Sequence, residues 1–331
     1  MSGAWRKSLI ALATLAAFAS AAPALAQPHK KPPPPRPPAA VPAPAPQADN
    51  SNVDLAYGAF QRGQYLTALA EATKRAQQND AAAMTLLGEI YAQGLGVGRD
   101  DNKASEWYKL AAAHGDRDAM FALAMFSLEG RAGPRDRDGA ARLLAEAAKL
   151  GHAPAAYDLG LLYLQGQQFP QDFARAADLF KQAADAGNSE AQYALATMYK
   201  EGRGVPKDLN EATRLMGLAS VAGNIDAMVE YAIAQFNGQG IEKNEAAAAQ
   251  LFLIAARRGS PIAQDRLARI LMAGRGMPAD PTEAVKWHII AKTRGNGDPD
   301  LDVFASQQTP AVRDAADKAA KKWLMTATPR S

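Results

Sequence analysis

The residues that come nearest to chemistry are three glycines at alternate positions, Gly94, Gly96 and Gly98, in the stretch GLGVGRD (94–100). Glycine backbones can approach a phosphate closely, so such a run can cradle a nucleotide. That use requires a strand before the glycines and a helix N-terminus after them, where free N–H groups meet the phosphate. Here Leu87, Gly88 and Tyr91 place one face of a helix before Gly94, and no Lys-Ser or Lys-Thr follows the glycines. The stretch reads as a turn, and no cofactor is expected.

The remaining candidates fare no better. The four histidines, His29, His114, His152 and His288, have no histidine or cysteine partner at ligand spacing, so no metal residue is assigned. His114 and His152 border inter-helix turns, where solvated surface is the expectation, and His288 falls in an aromatic packing slot. No serine sits in a nucleophile elbow and no Ser-x-x-Lys occurs. Carboxylate pairs are plentiful, but charged helices produce them by composition. No catalytic residue is assigned, and the chain is not expected to be an enzyme.

The elements that carry these residues repeat. A step of 36 residues from Gly94 lands on Gly130, Gly166, Gly202, Gly238 and Gly274, and the same step from Gly115 gives Gly151, Gly187, Gly223, Gly259 and Gly295. Alanine holds two further slots, Ala104 to Ala284 and Ala111 to Ala291, while Asp100, Asp136, Asp172, Asp208, Asn244 and Asp280 fill another. Six units without an insertion predict a repeat architecture.

Each slot has a physical reason. The first glycine ends a helix in left-handed geometry without a Cβ clash. The aspartate opens a second helix, its carboxylate accepting the orphan N–H groups of the first turn. Asp208 with Glu211, and Asp280 with Glu283, have the spacing of a capping box. Ala104, Trp107, Tyr108 and Ala111 form one buried stripe, with Trp107, Leu143, Leu179, Leu215, Leu251 and Trp287 as the expected large groove-filling slot. Asp116, Asn188, Asn224, Ser260 and Asn296 are suited to start the next helix, and His152 is the exception. A hairpin of this kind cannot bury its apolar face alone, so stacked neighbours must share a core, an all-α solenoid.

The flanks complete the organisation. Arg6-Lys7, the uncharged run 8–26 and Ala24-Leu25-Ala26 read as a secretory signal over residues 1–26, cut after Ala26; an uncleaved anchor is the competing reading. Residues 27–52 read as a disordered spacer, with 10 prolines in the 19 residues 28–46. Residues 53–79 read as a degenerate N-terminal helical repeat. Six repeats occupy 80–115, 116–151, 152–187, 188–223, 224–259 and 260–295, and 296–331 is the capping segment, its last helix opening at Thr309-Pro310 and ending near Trp323. The formal charge of +3 comes from the first two segments, and residues 47–331 carry −2. A body so nearly neutral has no electrostatic footprint for nucleic acid. With no cysteine, stability rests on packing, without disulfides or a lipidated cysteine.

The stretches LLGEIYAQGLGVGRDDNKASEWYKLAAAHGD (86–116) and YALATMYKEGRGVPKDLNEATRLMGLASVAGN (193–224) resemble the Sel1-like repeat, a long-looped relative of the tetratricopeptide repeat. The resemblance covers about two-thirds of the chain and implies a right-handed superhelix used as an adaptor, with first helices lining a concave groove. Exported bacterial members resemble regulators or organisers at the cell envelope. This chain departs from the pattern where Ser127 and Gln235 replace the tyrosine and where GRAGPRD (130–136) lacks the second glycine, so loops there are expected to differ while the stack holds. The apolar first helix of the second unit, with Met120, Phe121, Met125 and Phe126, reads as core or as a partner patch on the concave wall; Met120, Phe121 and Met125 are the partner-binding candidates. The function expected is a periplasmic or secreted scaffold, a monomer without membrane insertion after cleavage, holding a protein or peptide in its groove. The alternative is a cell-wall-directed hydrolase of the Sel1-like β-lactamase type, whose cysteines are missing here.

Overall fold

A computed structural model describes residues 54–166 and 170–327, and every regular element among them is a helix. The signal, its cut site and the spacer lie outside the described residues. A short hairpin, α1 (Leu55–Gln61) and α2 (Tyr65–Ala76), precedes the repeats. Six hairpins follow: α3 (Ala81–Gln93) with α4 (Asp101–Ala113), α5 (Arg117–Glu129) with α6 (Arg137–Lys149), and α7 (Ala153–Gln165) with α8 (Phe173–Asp185). Then come α9 (Ser189–Glu201) with α10 (Leu209–Val221), α11 (Ile225–Asn237) with α12 (Glu245–Arg257), and α13 (Pro261–Ala273) with α14 (Pro281–Thr293). The chain ends in α15 (Pro299–Ser306) and α16 (Pro310–Ala327). Each second helix packs on its hairpin partner and on the first helix of the next unit, which makes a solenoid with nearest-neighbour energetics.

Every one of the six glycines from Gly94 to Gly274 caps its first helix in the left-handed region, with φ between 66° and 75°. Six residues later the Asp or Asn side chain accepts a backbone N–H in the first turn of the second helix. The cap residue's own N–H donates back across the loop, to the carbonyl nine residues earlier: Asp100 to Tyr91 at 2.9 Å, Asp136 to Ser127 at 3.0 Å, Asn244 to Gln235 at 2.8 Å. This latch uses main-chain oxygen, so Ser127 and Gln235 serve as well as tyrosine. It also corrects the capping box. The Asp208 N–H is taken by Tyr199 O, which leaves Glu211 to bind Arg214 and Glu283 to bind Lys286 and the Trp287 indole.

The GRAGPRD loop keeps the family geometry where it was expected to differ. Ala132 occupies the second-glycine slot and adopts φ 56°, beside 70° at Gly96 and 68° at Gly240. In the glycine-bearing loops this slot lies against the preceding unit, and a Cβ on Gly240 would run into the Leu209 carbonyl at the start of α10.

Both alanine slots of the second helices are sealed, none of the twelve exceeding 2 % exposure. In four of the six units the deep large residue is one position later than the spacing suggests: Tyr108, Leu144, Phe180 and Phe252 are buried, whereas Trp107, Leu143, Leu179 and Leu251 are half-buried. In the other two both positions are buried, Leu215 with Met216 and Trp287 with His288. The later position faces the hairpin's own first helix, where Gly88 lies under the Tyr108 ring and Gly160 under the Phe180 ring. Burying a side chain such as Phe180 contributes about 2–3 kcal/mol, and a Cβ at Gly160, 2.7 Å from that ring, would oppose it. At the C-terminus Asp298, not Asn296, caps α15, while the Asn296 amide donates to Pro261 O. Pro299 explains the shift, since proline suits the first helical position and fixes the cap immediately before it. The last helix begins at Pro310 as read and runs on to Ala327.

Candidate partner-binding face

In each first helix the residues equivalent to Ala83, Leu87 and Gly88 turn inward. Those equivalent to Ala82, Thr85, Glu89 and Gln93 lie on the other side, exposed or, apart from Val229, half-buried. Helical periodicity puts these outward positions, with those equivalent to Leu86 and Ala92, on one stripe. Side chains join the stripes of successive units. The Asp118 carboxylate lies 3.2 Å from His152 Nε2, and Lys200 Nζ donates to Glu230 at 2.6 Å. The stripes therefore form one continuous wall.

Phe121, Tyr157 and Tyr193 hold the same position in consecutive units and are all half-buried, a ladder of rings across α5, α7 and α9. Met125 and Leu161 stand one turn further along, also half-buried. Of the three candidates from the sequence, Phe121 and Met125 thus lie on the wall. Met120, also half-buried, falls on the row of the buried Met84, Gln192, Met228 and Gln264, and all three candidates pack against the core. Phe126 is interior, with Tyr108 edge-on at 5.5 Å and the Arg131 guanidinium over its ring. The ladder is legible in the sequence by the same 36-residue step, applied to an aromatic slot instead of a glycine.

His152 departs from its expected place in solvent. Its Nδ1 accepts the Ala155 N–H at 3.1 Å, so it caps α7 as aspartate or asparagine does elsewhere. Its ring lies against Phe121 with centroids 4.6 Å apart. Burial holds the imidazole below its ordinary pKa, with Asp118 opposing and Arg117 adding to the shift. The other two described histidines fit their slots. His114 is exposed at the end of α4, and His288 is buried with Nε2 2.8 Å from Asp302.

Three of the wall's carboxylates are raised by burial. Burial pushes Asp158 up to about 7, and it raises Glu89 and Glu190 as well, Glu190 further through the like charge of Asp226. The acids of the second helices and loops sit differently: the Arg131 and Arg99 guanidiniums hold Asp101 well below the usual carboxylate range, and Arg275 and Lys243 do the same for Glu245. Beyond the ladder, a cavity of about 330 Å³ opens between α11, α12 and α13, floored by Phe236, Phe252 and Ile270 and edged by Arg266, Arg269 and Arg275. Two of those arginines are already matched, Arg269 by Asp298 and Arg275 by Glu245.

The comparisons agree with this architecture. The Sel1 repeat model matches residues 81–116, 117–152, 153–188, 189–224, 225–260 and 261–296, one residue on from the boundaries read off the glycines. Among solved structures the chain is similar to a Sel1 repeat protein from Oxalobacter formigenes, at 26 % identity and a TM-score of 0.62, over 72 % of this chain and 97 % of that one. It is also similar in fold to c5321, a protective antigen of uropathogenic Escherichia coli with an SLR fold, at 24 % identity and a TM-score of 0.56, over 80 % of this chain and 65 % of that one. No curated protein matches the chain. With six matched repeats covering well over half its length and a solenoid to accommodate them, the chain belongs to the Sel1 repeat family.

Proposed function

We propose that this protein is an exported, monomeric, non-enzymatic scaffold that holds a protein or peptide partner against the wall of its first helices. Arrays of this type present extended surfaces, and their use is binding by shape. The observation that carries the reading is the ladder of Phe121, Tyr157 and Tyr193, large rings left half-buried on one continuous face. Such rings supply contact area at low entropic cost, as anchors in interfaces do. Export rests on Arg6-Lys7, the apolar run and Ala24-Leu25-Ala26. No described helix is long and apolar enough to cross a membrane.

The test has two arms. Mass spectrometry of the mature N-terminus should return Gln27 from the periplasmic or secreted fraction; an intact signal in the cytosol sinks the export claim. Affinity capture from the periplasm should retain a defined set of proteins that Tyr157→Ala/Tyr193→Ala loses while its helicity stays normal. Capture that ignores both rings, or a purified protein that turns over a β-lactam until one polar residue is changed, overturns the scaffold reading.

A further inference from the structure

Charge is distributed unevenly between the two helices of the hairpins. On the outward rows of the first helices, units one to five carry eight carboxylates and one basic residue, Lys200, which is bound to Glu230; loop arginines meet Glu129 and Glu201 at one end of the rows, which leaves Asp158, Glu190 and Asp226 in the middle without an ion pair to lysine or arginine. The second helices of the same units carry eight carboxylates and nine lysines or arginines. A body of net charge −2 therefore concentrates its negative potential on the face that also bears the aromatic ladder. In sequence these acids are far apart, and only stacking brings Asp158, Glu190 and Asp226 onto one surface beside Tyr157 and Tyr193.

We infer that the wall of α5, α7, α9 and α11 takes a basic, extended segment of a partner protein, lysines or arginines meeting the carboxylates while apolar side chains rest on the rings. This rests on the reading of the wall as a partner surface and names the chemistry of the partner. Three features favour it over an acidic or neutral occupant. An acidic segment meets a like-charged wall, and misplaced like charge is strongly rejected at interfaces. Two of these carboxylates are also held at a cost, since Asp158 and Glu190 are raised by burial, and an arriving cation relieves that cost. Lysine and arginine further suit the rings themselves, whose faces attract cations. The arginine-edged cavity by α13 is set aside because neighbouring carboxylates already match two of its three cations.

The raised carboxylates also make the test clean. Asp158→Asn/Glu190→Gln/Asp226→Asn removes two carboxylates that burial raises, Asp158 and Glu190, together with the like charge of Asp226 beside Glu190, so the variant should melt no lower than the wild type. The probe is a fluorescein-labelled peptide of repeated Lys-Pro-Leu triplets, with a Glu-Pro-Leu counterpart, titrated into the purified full-length mature protein. The lysine peptide should bind with an affinity that falls as salt rises, and the triple variant should weaken it about tenfold or more, as the loss of three partly exposed charge pairs does. A control triple on the second helices, Glu106→Gln/Glu146→Gln/Asp178→Asn, should leave binding unchanged. Equal weakening by both triples means diffuse attraction and overturns the inference. Binding of the glutamate peptide, sensitive to Tyr157→Ala/Tyr193→Ala, overturns the basic partner but keeps the wall as a binding surface. If neither peptide binds, the inference falls, and insensitivity of native capture to the tyrosine pair removes the wall reading with it.

Discussion

His152 should make the second-to-third unit junction sensitive to acid in a way its counterparts are not. Its Nδ1 can cap Ala155 only while it carries no proton, and in that tautomer Nε2–H points to Asp118. Protonation turns the acceptor into a donor facing another donor, and α7 loses its cap. A lost N-cap costs about 0.5–2 kcal/mol. The sign follows from the depressed pKa: the unfolded chain binds the proton first, so stability is present above the unfolded value near 6.5 and is lost as pH falls through the lower folded value. Asp116 and Asp118 face the ring as partners for the imidazolium, and Arg117 opposes it, so burial decides the direction. The perturbation is His152→Asn, because Asn188 and Asn224 cap the equivalent helices through Oδ1 without titrating. Thermal unfolding followed by circular dichroism at pH 7.5 and pH 5 gives the comparison. The wild type should lose about 2–4 °C more than the variant on acidification, the shift expected for roughly 1 kcal/mol in a domain of this size. Amide exchange should place the extra opening in the first turn of α7. Identical pH slopes for the two proteins would falsify the cap assignment.

Three other substitutions probe the loops and the wall. Ala132→Gly should stabilise the array by about 0.5–1 kcal/mol in urea unfolding, since an exposed alanine in left-handed geometry is strained and glycine returns only part of that gain as unfolded-chain entropy; an unchanged midpoint refutes the strain. Gly240→Ala should lower the midpoint by about 2 kcal/mol or more, because its Cβ meets the Leu209 carbonyl as well as an unfavourable φ; a neutral result means the loop can lift off α10. Asp158→Asn should be more stable than the wild type at pH 8 by roughly 1 kcal/mol or more, and similar to it at pH 4. The raised carboxyl pKa makes the wild type lose stability as pH rises from 3.8 towards 7, and a flat difference across that window contradicts the burial of the charge.

Much of this was legible because the repeat reports itself. A 36-residue step finds the helix ends, the caps and the sealed alanines, since each depends on one residue type with one local role. What escaped depends on neighbours in space. The capping box looked right at Asp208 and Glu211, but a carbonyl nine residues upstream had already taken the cap N–H. His152 broke the residue-type rule for caps while keeping its geometry, with a ring nitrogen in place of a side-chain oxygen. The deep aromatic slot was missed by one position because Tyr108 and Trp107 both belong to the stripe, and only the small residue opposite, Gly88, decides between them. Of the proposed partner face, Phe121 and Met125 were within reach of composition. The acidic character of the wall was not, since its members stand about 30 residues apart and the chain's balanced charge conceals them.

The loop latch has a consequence for how such a protein changes over generations. Donor and acceptor are both main-chain atoms, so any duplication in register copies the latch intact, whatever side chains later drift around it. Ser127 and Gln235 display that indifference within a single chain. A gene of this kind can therefore lengthen or shorten by whole units without passing through an unfoldable intermediate, and each added unit extends the wall by one more first helix. Length, and with it the span of partner that can be held, is the property this architecture leaves most open to inheritance.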